Sequence, residues 1–495
     1  MIAFSEPAAT AWILVIAAVL AGVAVLLARA SERVGVPIVL VFLLVGMLAG
    51  SERLGGLRFH DYRLSFRVGT VALVLILFEG GLNTSAAALR RYAGPALTLA
   101  TFGVVGTGAI TAAAARALGF DWPHAVLLGA IVSSTDAAAI FAVLRSSGIQ
   151  LRRRVGATLE AESGLNDPVA IVLTTLLAAS LVHPGTLAAG RVAGAFAMQL
   201  GVGAAAGALL GFGGRWLLKR VLLPAGGLYP VLTLSLAAFA FGAATLVEGS
   251  GFLAVYVAGV VLGNGPIPYR TSVLRVHDAL GWLGQVAMFL VLGLLAVPAR
   301  LMAVAPVGIA LALVLACVSR PAVVAACLAP FGYPRREIAY IGWVGLRGAV
   351  PIVLALIPLL AGAPGAARLF DVVFFIVVAN AFLPGGTVRW VTRRLDLEAN
   401  EPPPAPAALA IESREPLEGE LLSFYVDEAL GLAGQQIADL PIPDGTSVTV
   451  IVRGRTLIAP KGPTVLEVGD HVYVLTRAPD RPIVELLFGR PEGGE

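Results

Sequence analysis

The chain has 495 residues, of which 58% are hydrophobic and 13% charged, with a mean hydropathy of +0.88 and a formal net charge of +4. Soluble domains carry about 25% charged residues, so this composition excludes a chain that folds mainly in water. Many apolar runs reach or approach the roughly 20 residues that a helix needs to cross a bilayer. The sequence therefore predicts an all-α polytopic membrane protein.

Thirteen apolar segments follow one another along the chain. Their approximate bounds are 11–29, 36–50, 68–83, 94–116, 124–144, 156–182, 192–217, 228–247, 251–263, 280–297, 301–329, 337–359 and 370–391. The first segment has no basic residue before it and is too long for the core of a signal peptide, so we expect a retained helix. The pattern predicts about 13 transmembrane helices within a domain of residues 1–394.

Basic residues between these segments predict the orientation of the chain, because short cytoplasmic loops collect arginine and lysine. With the N-terminus outside, the inside loops contain Arg29, Arg33, Arg90, Arg91, Arg145, Arg152, Arg153, Arg154, Arg215, Lys219, Arg220, Arg270, Arg275, Arg335, Arg336, Arg389, Arg393 and Arg394. The outside segments contain far fewer, although the 51–67 loop carries four arginines. We expect a multi-pass protein of the cell (inner) membrane. Orientation and membrane lipids account for this charge, so no nucleic-acid partner is expected.

The character of the sequence changes after residue 394. Residues 395–415 are rich in proline and acids, which predicts an extended linker. Residues 416–489 contain β-branched runs separated by turn signals, which predicts a small cytoplasmic α+β domain. A core of this size is marginal in a monomer, so we expect a homodimer.

Ionisable residues inside apolar runs are the first functional candidates, because each costs about 2.5–3.5 kcal/mol or more in the membrane. They are Glu79, Asp136, Glu162, Asp167, Glu248, Arg320, Arg347 and Asp371. Glu79 either lines a funnel or ends its helix. Glu248 and Arg320 lie closer to the ends of their segments, where we expect long side chains to reach the interface.

The stretch Ser133-Ser134-Thr135-Asp136 places three hydroxyls and a carboxylate within one apolar run. Such a stretch can break its helix and expose backbone carbonyls. Broken helices are tolerated at membrane depth where they line a cavity, and their carbonyls can coordinate a cation. Thr135 and Asp136 are therefore candidate site residues, with helix packing as the alternative.

The next apolar segment contains the densest polar cluster. Glu162 and Asn166 are four residues apart and lie on one helix face. Asp167 is rotated by about 100° around the helix axis from Asn166, and Pro168, which has no amide hydrogen, leaves the carbonyl of Gly164 without its helical donor. Oxygen ligands of this kind suit Na⁺ or K⁺, and no cofactor is expected. Burial favours the protonated form of a carboxyl group, so a proton and a cation can compete for Asp167. The alternative is an interhelical hydrogen bond or a buried ion pair.

Arg347 lies between Gly345 and Gly348 in another apolar run, followed by Pro351. A buried arginine needs a carboxylate partner, because an unpaired buried charge is strongly destabilising. We expect Arg347 to form a structural ion pair with Glu162.

Two breaks in apolar segments have similar surroundings. The first, at 133–139, precedes the segment with Asp167, and the second, at 345–351, precedes a segment with Asp371 and Asn380. This pattern predicts inverted repeats with two broken crossing helices, as in many secondary transporters.

Four motifs occur in the order found in the NhaP-type branch of the monovalent cation:proton antiporter-1 family, which the chain resembles over residues 10–392. They are LFEGGL at 77–82, STDA at 134–137, ESGLNDP at 162–168 and GLRGAV at 345–350. Glu79 departs from the aspartate common at its position in the family.

The resemblance implies a secondary antiporter that exchanges a monovalent cation for H⁺. It implies a cation site made of Thr135, Asp136, Glu162, Ser163, Asn166 and Asp167, with the metal ligands among Asp167, Asp136 and Thr135. Asp167 would be the alternating carrier, and Arg347 would pair with Glu162. The Asn166-Asp167 pair resembles that of electroneutral exchangers and implies one proton per cation.

Residues 416–489, above all 464–475, resemble the TrkA-C module, the C-terminal half of regulator-of-potassium-conductance domains. The resemblance implies a regulatory domain that binds a small ligand, and it favours K⁺ over Na⁺. The Rossmann half that binds nucleotides in such proteins is absent from this sequence.

Two other functions compete with antiport. A ligand-gated K⁺ channel or efflux system of the same fold would move cations without obligatory proton transport. An intramembrane aspartyl protease would use Asp136 and Asp167 as a catalytic dyad, but no Gly-x-Gly-Asp element accompanies either residue.

Overall fold

The computed structural model describes residues 6–34, 37–50, 56–57, 59–145, 147–182, 189–399, 409, 419–477, 479–489 and 491–492. The chain divides into two compact units. The first contains most of the helices, and the second comprises Leu218–Pro230, Pro266–Arg275 and Asn400–Glu495.

Helices dominate the part of the chain before residue 400. In order they are α1 (Ala8–Val34), α2 (Ile38–Ala49), α3 (Tyr62–Asn83), α4 (Ala86–Thr98), α5 (Val104–Ala117), α6 (Trp122–Ile131), α7 (Ala137–Arg145), α8 (Arg153–Val182), α9 (Ala189–Arg220), α10 (Leu228–Leu246), α11 (Gly251–Gly263), α12 (Arg270–Leu295), α13 (Pro298–Val314), α14 (Arg320–Leu328), α15 (Arg335–Trp343), α16 (Val350–Leu360) and α17 (Ala366–Arg394). Two π-helical segments, Leu99–Gly103 and Leu315–Ser319, join α4 to α5 and α13 to α14.

The helices account for the predicted number of membrane crossings. Within the described residues, nine helices or joined helix pairs are long and apolar enough to cross a membrane. Four further crossings come from the short apolar helices α2 and α11 and from the interrupted pairs α6–α7 and α15–α16. The prediction of an all-α membrane domain with about 13 crossings is therefore confirmed.

The same series of elements occurs twice. A helix with a π-helical segment, a crossing broken in the middle and a long unbroken helix follow one another in α4–α8 and again in α13–α17. Seven crossings separate the start of the first series from the start of the second. Because seven is odd, the two series enter the membrane from opposite sides, as the sequence predicted. A hydrogen bond of 3.2 Å from the Thr111 hydroxyl to Ser319 Oγ joins them.

Local sequence explains where both crossings break. In the first, the Ser133 hydroxyl donates to the carbonyl of Ala130, and the Asp136 carboxylate accepts from the amide of Ala139 and so caps α7. In the second, Pro351 lies in the first turn of α16, where its missing amide hydrogen leaves no helical bond unmade.

The C-terminal domain is an antiparallel sheet with one helix. Its elements are β1 (Gly419–Tyr425), β2 (Ser447–Arg453), β3 (Thr456–Ile458), β4 (Asp470–Arg477) and α18 (Arg481–Phe488), with the strands in the order β1-β4-β2-β3. Phe424, Val472 and Val474 of the sheet pack with Val484 and Phe488 of α18. The predicted small α+β domain is confirmed.

The predicted linker of residues 395–415 falls mostly outside the described residues, including its proline run. Its first residues do not form an extended linker. The amide of Ala399 donates to the carbonyl of Gln150 at 2.8 Å, and Leu397 is fully buried. This end of the membrane domain is therefore bound to the segment that precedes α8.

Candidate cation site

The two helix breaks meet at their backbones. The amide of Asp136, in the first break, donates to the carbonyl of Leu346, in the second, at 2.8 Å. A side chain at Gly348 would collide with the Asp136 carboxylate, so only glycine permits this approach. The contact uses a donor and an acceptor that lie outside α6, α7, α15 and α16, and it fixes the two breaks against each other.

The first break is also held by α8, through three of the predicted site residues. The Asn166 amide donates to the Thr135 hydroxyl oxygen at 2.6 Å, and the Ser163 hydroxyl donates to the Thr135 carbonyl at 3.1 Å. Ser163 Oγ in turn accepts from the amide of Ala137 at 3.1 Å. Asn166 is fully buried, and its carbonyl oxygen has no hydrogen-bond partner among the described residues. This unpaired oxygen is a candidate cation ligand beside the break.

Asp167 lies one residue further along α8 and is 9% exposed. Its carboxyl group lies near the Ser134 hydroxyl and interacts electrostatically with Asp136. Two carboxylates, Asp136 at the first break and Asp167 on α8, thus lie near each other, with the hydroxyls of Ser134 and Thr135 close by. These are oxygen ligands of the kind that a hard monovalent cation prefers.

Glu162 pairs with Arg320. The two terminal nitrogens of Arg320 lie 2.6 Å and 2.8 Å from the two carboxylate oxygens, so the contact is bidentate. The predicted ion pair between Glu162 and Arg347 is therefore wrong, and so is the expectation that Arg320 reaches the interface. The segment expected at 301–329 runs from Pro298 to Phe331, and Arg320 lies in its interior, where it is buried.

Arg347 uses its guanidinium to bind backbone carbonyls at both breaks. Its Nε donates to the carbonyl of Val132 at 2.7 Å, and its Nη1 donates to the carbonyl of Gly345 at 2.6 Å. Helix breaks leave carbonyls without intrahelical donors, and burial makes such groups costly. Arg347 therefore binds both breaks through partners other than the predicted one, and its expected scaffold role stays a prediction.

Glu79 lines a cavity of about 80 Å³ that reaches the start of α7. Other lining residues include Asp278 and Gln285 of α12, Arg145 at the end of α7, and Ala138, two residues after Asp136. The amide of Asn83 donates to the Glu79 carboxylate at 2.6 Å. We refer to this cavity as the Glu79 funnel; the role expected for Glu79 there stays a prediction.

Comparison with known proteins identifies the family. The family described as "Sodium/hydrogen exchanger, transmembrane" matches residues 15–394, and the TrkA-C domain family matches residues 421–481. The chain belongs to the sodium/hydrogen exchanger family. Exchangers are secondary transporters and not enzymes, so the aspartyl protease alternative is set aside.

Individual relatives agree with this assignment. The K(+)/H(+) antiporter NhaP2 of Shewanella oneidensis is 41% identical over 491 residues, which cover 97% of this chain and 84% of the relative. The K(+)/H(+) antiporter NhaP of Alkalimonas amylolytica is 40% identical over 463 residues, covering 92% of this chain and 80% of the relative. The structure of the sodium proton antiporter MjNhaP1 from Methanocaldococcus jannaschii matches with a TM-score of 0.67 and 23% identity, over 76% of this chain and 97% of that one. This last similarity supports the fold.

Three features of the exchanger site were missed by the sequence analysis. Ser134 belongs to the predicted break but was not assigned to the site, and Asp278 lies in the funnel although its segment was expected to begin at residue 280. Gly348 was treated as a flank of Arg347, whereas its lack of a side chain makes room for Asp136. A glycine between two predicted breaks was the available signal for that close approach.

Proposed function

We propose that this exchanger moves K⁺, in preference to Na⁺, against H⁺ by alternating access, with Asp167 as the shared carrier. The proposal is carried by one observation: Asp167 interacts electrostatically with Asp136, whose backbone amide joins the two helix breaks. The names of the relatives in Shewanella and Alkalimonas support K⁺ as the cation. The role of the exchanger would be cation and pH homeostasis.

Competition at Asp167 provides the coupling. A carboxylate can bind a cation together with nearby oxygens, or it can bind a proton, and a buried site disfavours the empty charged state. Asn166 is neutral and adds an oxygen without adding a second carrier. The cation-loaded and proton-loaded forms then carry the same charge, so we expect electroneutral exchange of one proton per cation. Thr135, Ser163 and Glu162 would hold the site in shape.

The Glu79 funnel would connect the site to one side of the membrane. Its two carboxylates, Glu79 and Asp278, attract cations, while Arg145 limits the depth of the negative potential. Because the inside loops hold the basic residues, we propose that this side is the cytoplasm, that the N-terminus lies outside and that the C-terminal domain is cytoplasmic.

We further propose a homodimer whose C-terminal domains bind a small regulatory ligand. The match of residues 421–481 to the TrkA-C family supports the regulatory role. Apolar side chains exposed on α1, such as Leu26, and on α9, such as Leu209, supply surfaces for membrane lipids or a second copy.

A transport assay tests the proposal directly. In proteoliposomes that hold the full chain and an imposed pH gradient, K⁺ should dissipate the gradient, Na⁺ should do so less effectively, and a clamped membrane potential should not change the rate. Li⁺ and Rb⁺ complete the selectivity series. The absence of gradient dissipation with both K⁺ and Na⁺ would exclude antiport. Cation flux with a proton-to-cation ratio near zero would instead favour a channel.

A further inference from the structure

A second cavity, of about 290 Å³, lies at the arginine-rich ends of the membrane helices. It is lined by Arg91, Tyr92 and Pro95 of α4, Arg154 of α8, and Phe331 and Tyr333 between α14 and α15. Its volume is close to the lower limit of about 300 Å³ for small-molecule sites. None of its lining residues lines the Glu79 funnel.

Arg154 is held in a fixed position at this cavity. Its guanidinium carbon lies 3.7 Å from the centre of the Tyr333 ring, and its Nη2 donates to the carbonyls of Phe331 at 3.0 Å and Gly332 at 3.3 Å. Its Nε lies 3.7 Å from the carboxylate of Glu337. Tyr333 is itself fixed, because its hydroxyl lies 2.7 Å from the Thr158 hydroxyl on α8.

The charge of the cavity is positive. Among the residues that the structure describes, Arg154 has one carboxylate neighbour, Glu337, whereas the exposed Arg91 has its guanidinium 5.8 Å from the Tyr92 ring centre. Two guanidinium groups at one cavity suit a phosphate group, which they can bind through charge-assisted hydrogen bonds. Glu337 limits the charge and makes a single phosphodiester a better match than a polyphosphate.

The surroundings favour a lipid over a soluble anion. Further along the helix that carries Arg91, Leu97 is 50% and Phe102 is 72% exposed, and Val318 of the neighbouring π-helical segment is 51% exposed. These apolar side chains face the region that lipid chains occupy. Tyr92 and Tyr333 lie near helix ends, where aromatic residues commonly meet the headgroup layer.

We propose that this cavity, lined by Arg91, Arg154 and Tyr333, binds the phosphate headgroup of an anionic phospholipid whose chains lie along α4 and the second π-helical segment. Basic pockets between membrane helices commonly bind such headgroups. The bound headgroup would connect the first turns of α8, the helix that carries Asp167, to the segment that follows α14. This site is separate from the exchange reaction.

Lipid titration of the purified full chain in detergent tests this site, with the thermal unfolding midpoint as the readout. Phosphatidylglycerol should raise the midpoint of the unaltered chain, whereas phosphatidylcholine and inorganic phosphate should not. Arg91→Gln should weaken the apparent affinity for phosphatidylglycerol about fivefold, since one basic residue contributes about 1 kcal/mol to anionic-lipid binding. Arg154→Gln should weaken it at least as much.

Arg90→Gln is the matched control, because Arg90 is an exposed neighbour that does not line the cavity. It removes the same charge and should retain the affinity of the unaltered chain. An equal loss in Arg90→Gln and Arg91→Gln would overturn the proposal in favour of diffuse attraction. Equal stabilisation by inorganic phosphate would overturn it in favour of a soluble anion, and no stabilisation specific to phosphatidylglycerol would exclude the site. If Arg154→Gln lowers the folded yield, the comparison of phosphatidylglycerol affinity between Arg91→Gln and Arg90→Gln tests the proposal by itself.

Discussion

Arg320 and Glu162 form a bidentate ion pair inside the membrane domain, with nitrogen-to-oxygen distances of 2.6 Å and 2.8 Å. The pair joins α14, which follows the second π-helical segment, to α8, which carries Asp167 one turn further on. Thr135 adds a weaker contact, since its hydroxyl lies 3.5 Å from the Glu162 carboxylate. The carboxylate of Glu162 therefore links the second repeat to the helix break beside the candidate cation site.

Replacing Arg320 by glutamine should destabilise the fold strongly, because it leaves the Glu162 carboxylate buried without its partner. Breaking a buried pair in this way costs about 3–5 kcal/mol. The measurement is thermal unfolding of the purified chain in detergent. Arg336→Gln is the control, because it breaks an exposed pair with Asp396 that is worth about 1 kcal/mol or less. Equal midpoints for the two variants would contradict a structural role for the buried pair.

Arg347→Ala should lower the folded yield more than it alters cation affinity. The substitution leaves the carbonyls of Val132 and Gly345 without their donor, at a cost of about 1–3 kcal/mol for each buried group. Folded yield is measured by size-exclusion chromatography, and affinity by the cation concentration at half-maximal exchange. A variant with normal yield and a shifted affinity would instead assign Arg347 to the cation site.

The two arginines illustrate what the sequence can and cannot predict. A charge within an apolar run is visible in the sequence, and both Arg320 and Arg347 could be recognised in that way. Their partners depend on how helices that are distant in the chain pack against each other, and the sequence carries no direct signal of that distance. The break at Thr135 and Asp136 was easier to predict, because hydroxyl and carboxylate side chains compete locally for backbone hydrogen bonds.

The repeated architecture was predictable for a similar reason. Proline and glycine mark the second break locally, and the polar segments after each break repeat the same order. The three-residue strand β3 and the eight-residue helix α18 were not predicted, since both are shorter than the segments from which strands and helices are usually recognised in a sequence. The grouping of Thr135 with Ser163 and Asn166 came from the family resemblance. Spacing along the sequence could indicate only that Ser163 and Asn166 share a helix face, because Thr135 belongs to a different segment.

Gly348→Ala should abolish most of the exchange activity without unfolding the chain. The added methyl group would collide with the Asp136 carboxylate and displace it from the position beside Asp167. A displacement of about 1 Å at a reacting group can cost on the order of 100-fold in rate. Gly386→Ala is the control, because a side chain there meets no atom within 4 Å. Normal exchange by Gly348→Ala would show that the site tolerates movement of Asp136.

Glu79→Gln should raise the cation concentration needed for half-maximal exchange and leave the maximal rate nearly unchanged. Glu79 lines the funnel, so its charge should concentrate cations there, and removal of about 1 kcal/mol of attraction corresponds to about a fivefold change. The effect should shrink at high ionic strength, because salt screens the attraction. Glu248→Gln, at an exposed position that does not line the cavity, should behave like the unaltered chain. A fall in maximal rate at unchanged half-saturation would assign Glu79 to the translocation step.

Asp167→Asn should abolish exchange and leave the chain folded. Asparagine has nearly the same shape as aspartate, but it cannot bind a proton in place of a cation or supply the negative charge that holds one. Exchange is measured in proteoliposomes with an imposed pH gradient, and folding by the thermal unfolding midpoint.

Asp371→Asn is the control, because Asp371 is also a buried helix carboxylate but pairs with Arg300 at 3.3 Å. The Asp371→Asn variant should continue to exchange. In the unaltered chain the Asp371 carboxylate is paired with Arg300, so it is not available to bind a transported ion. Full exchange by Asp167→Asn would require another carrier, and Asp136 would then be the first carboxylate to test, since it interacts electrostatically with Asp167.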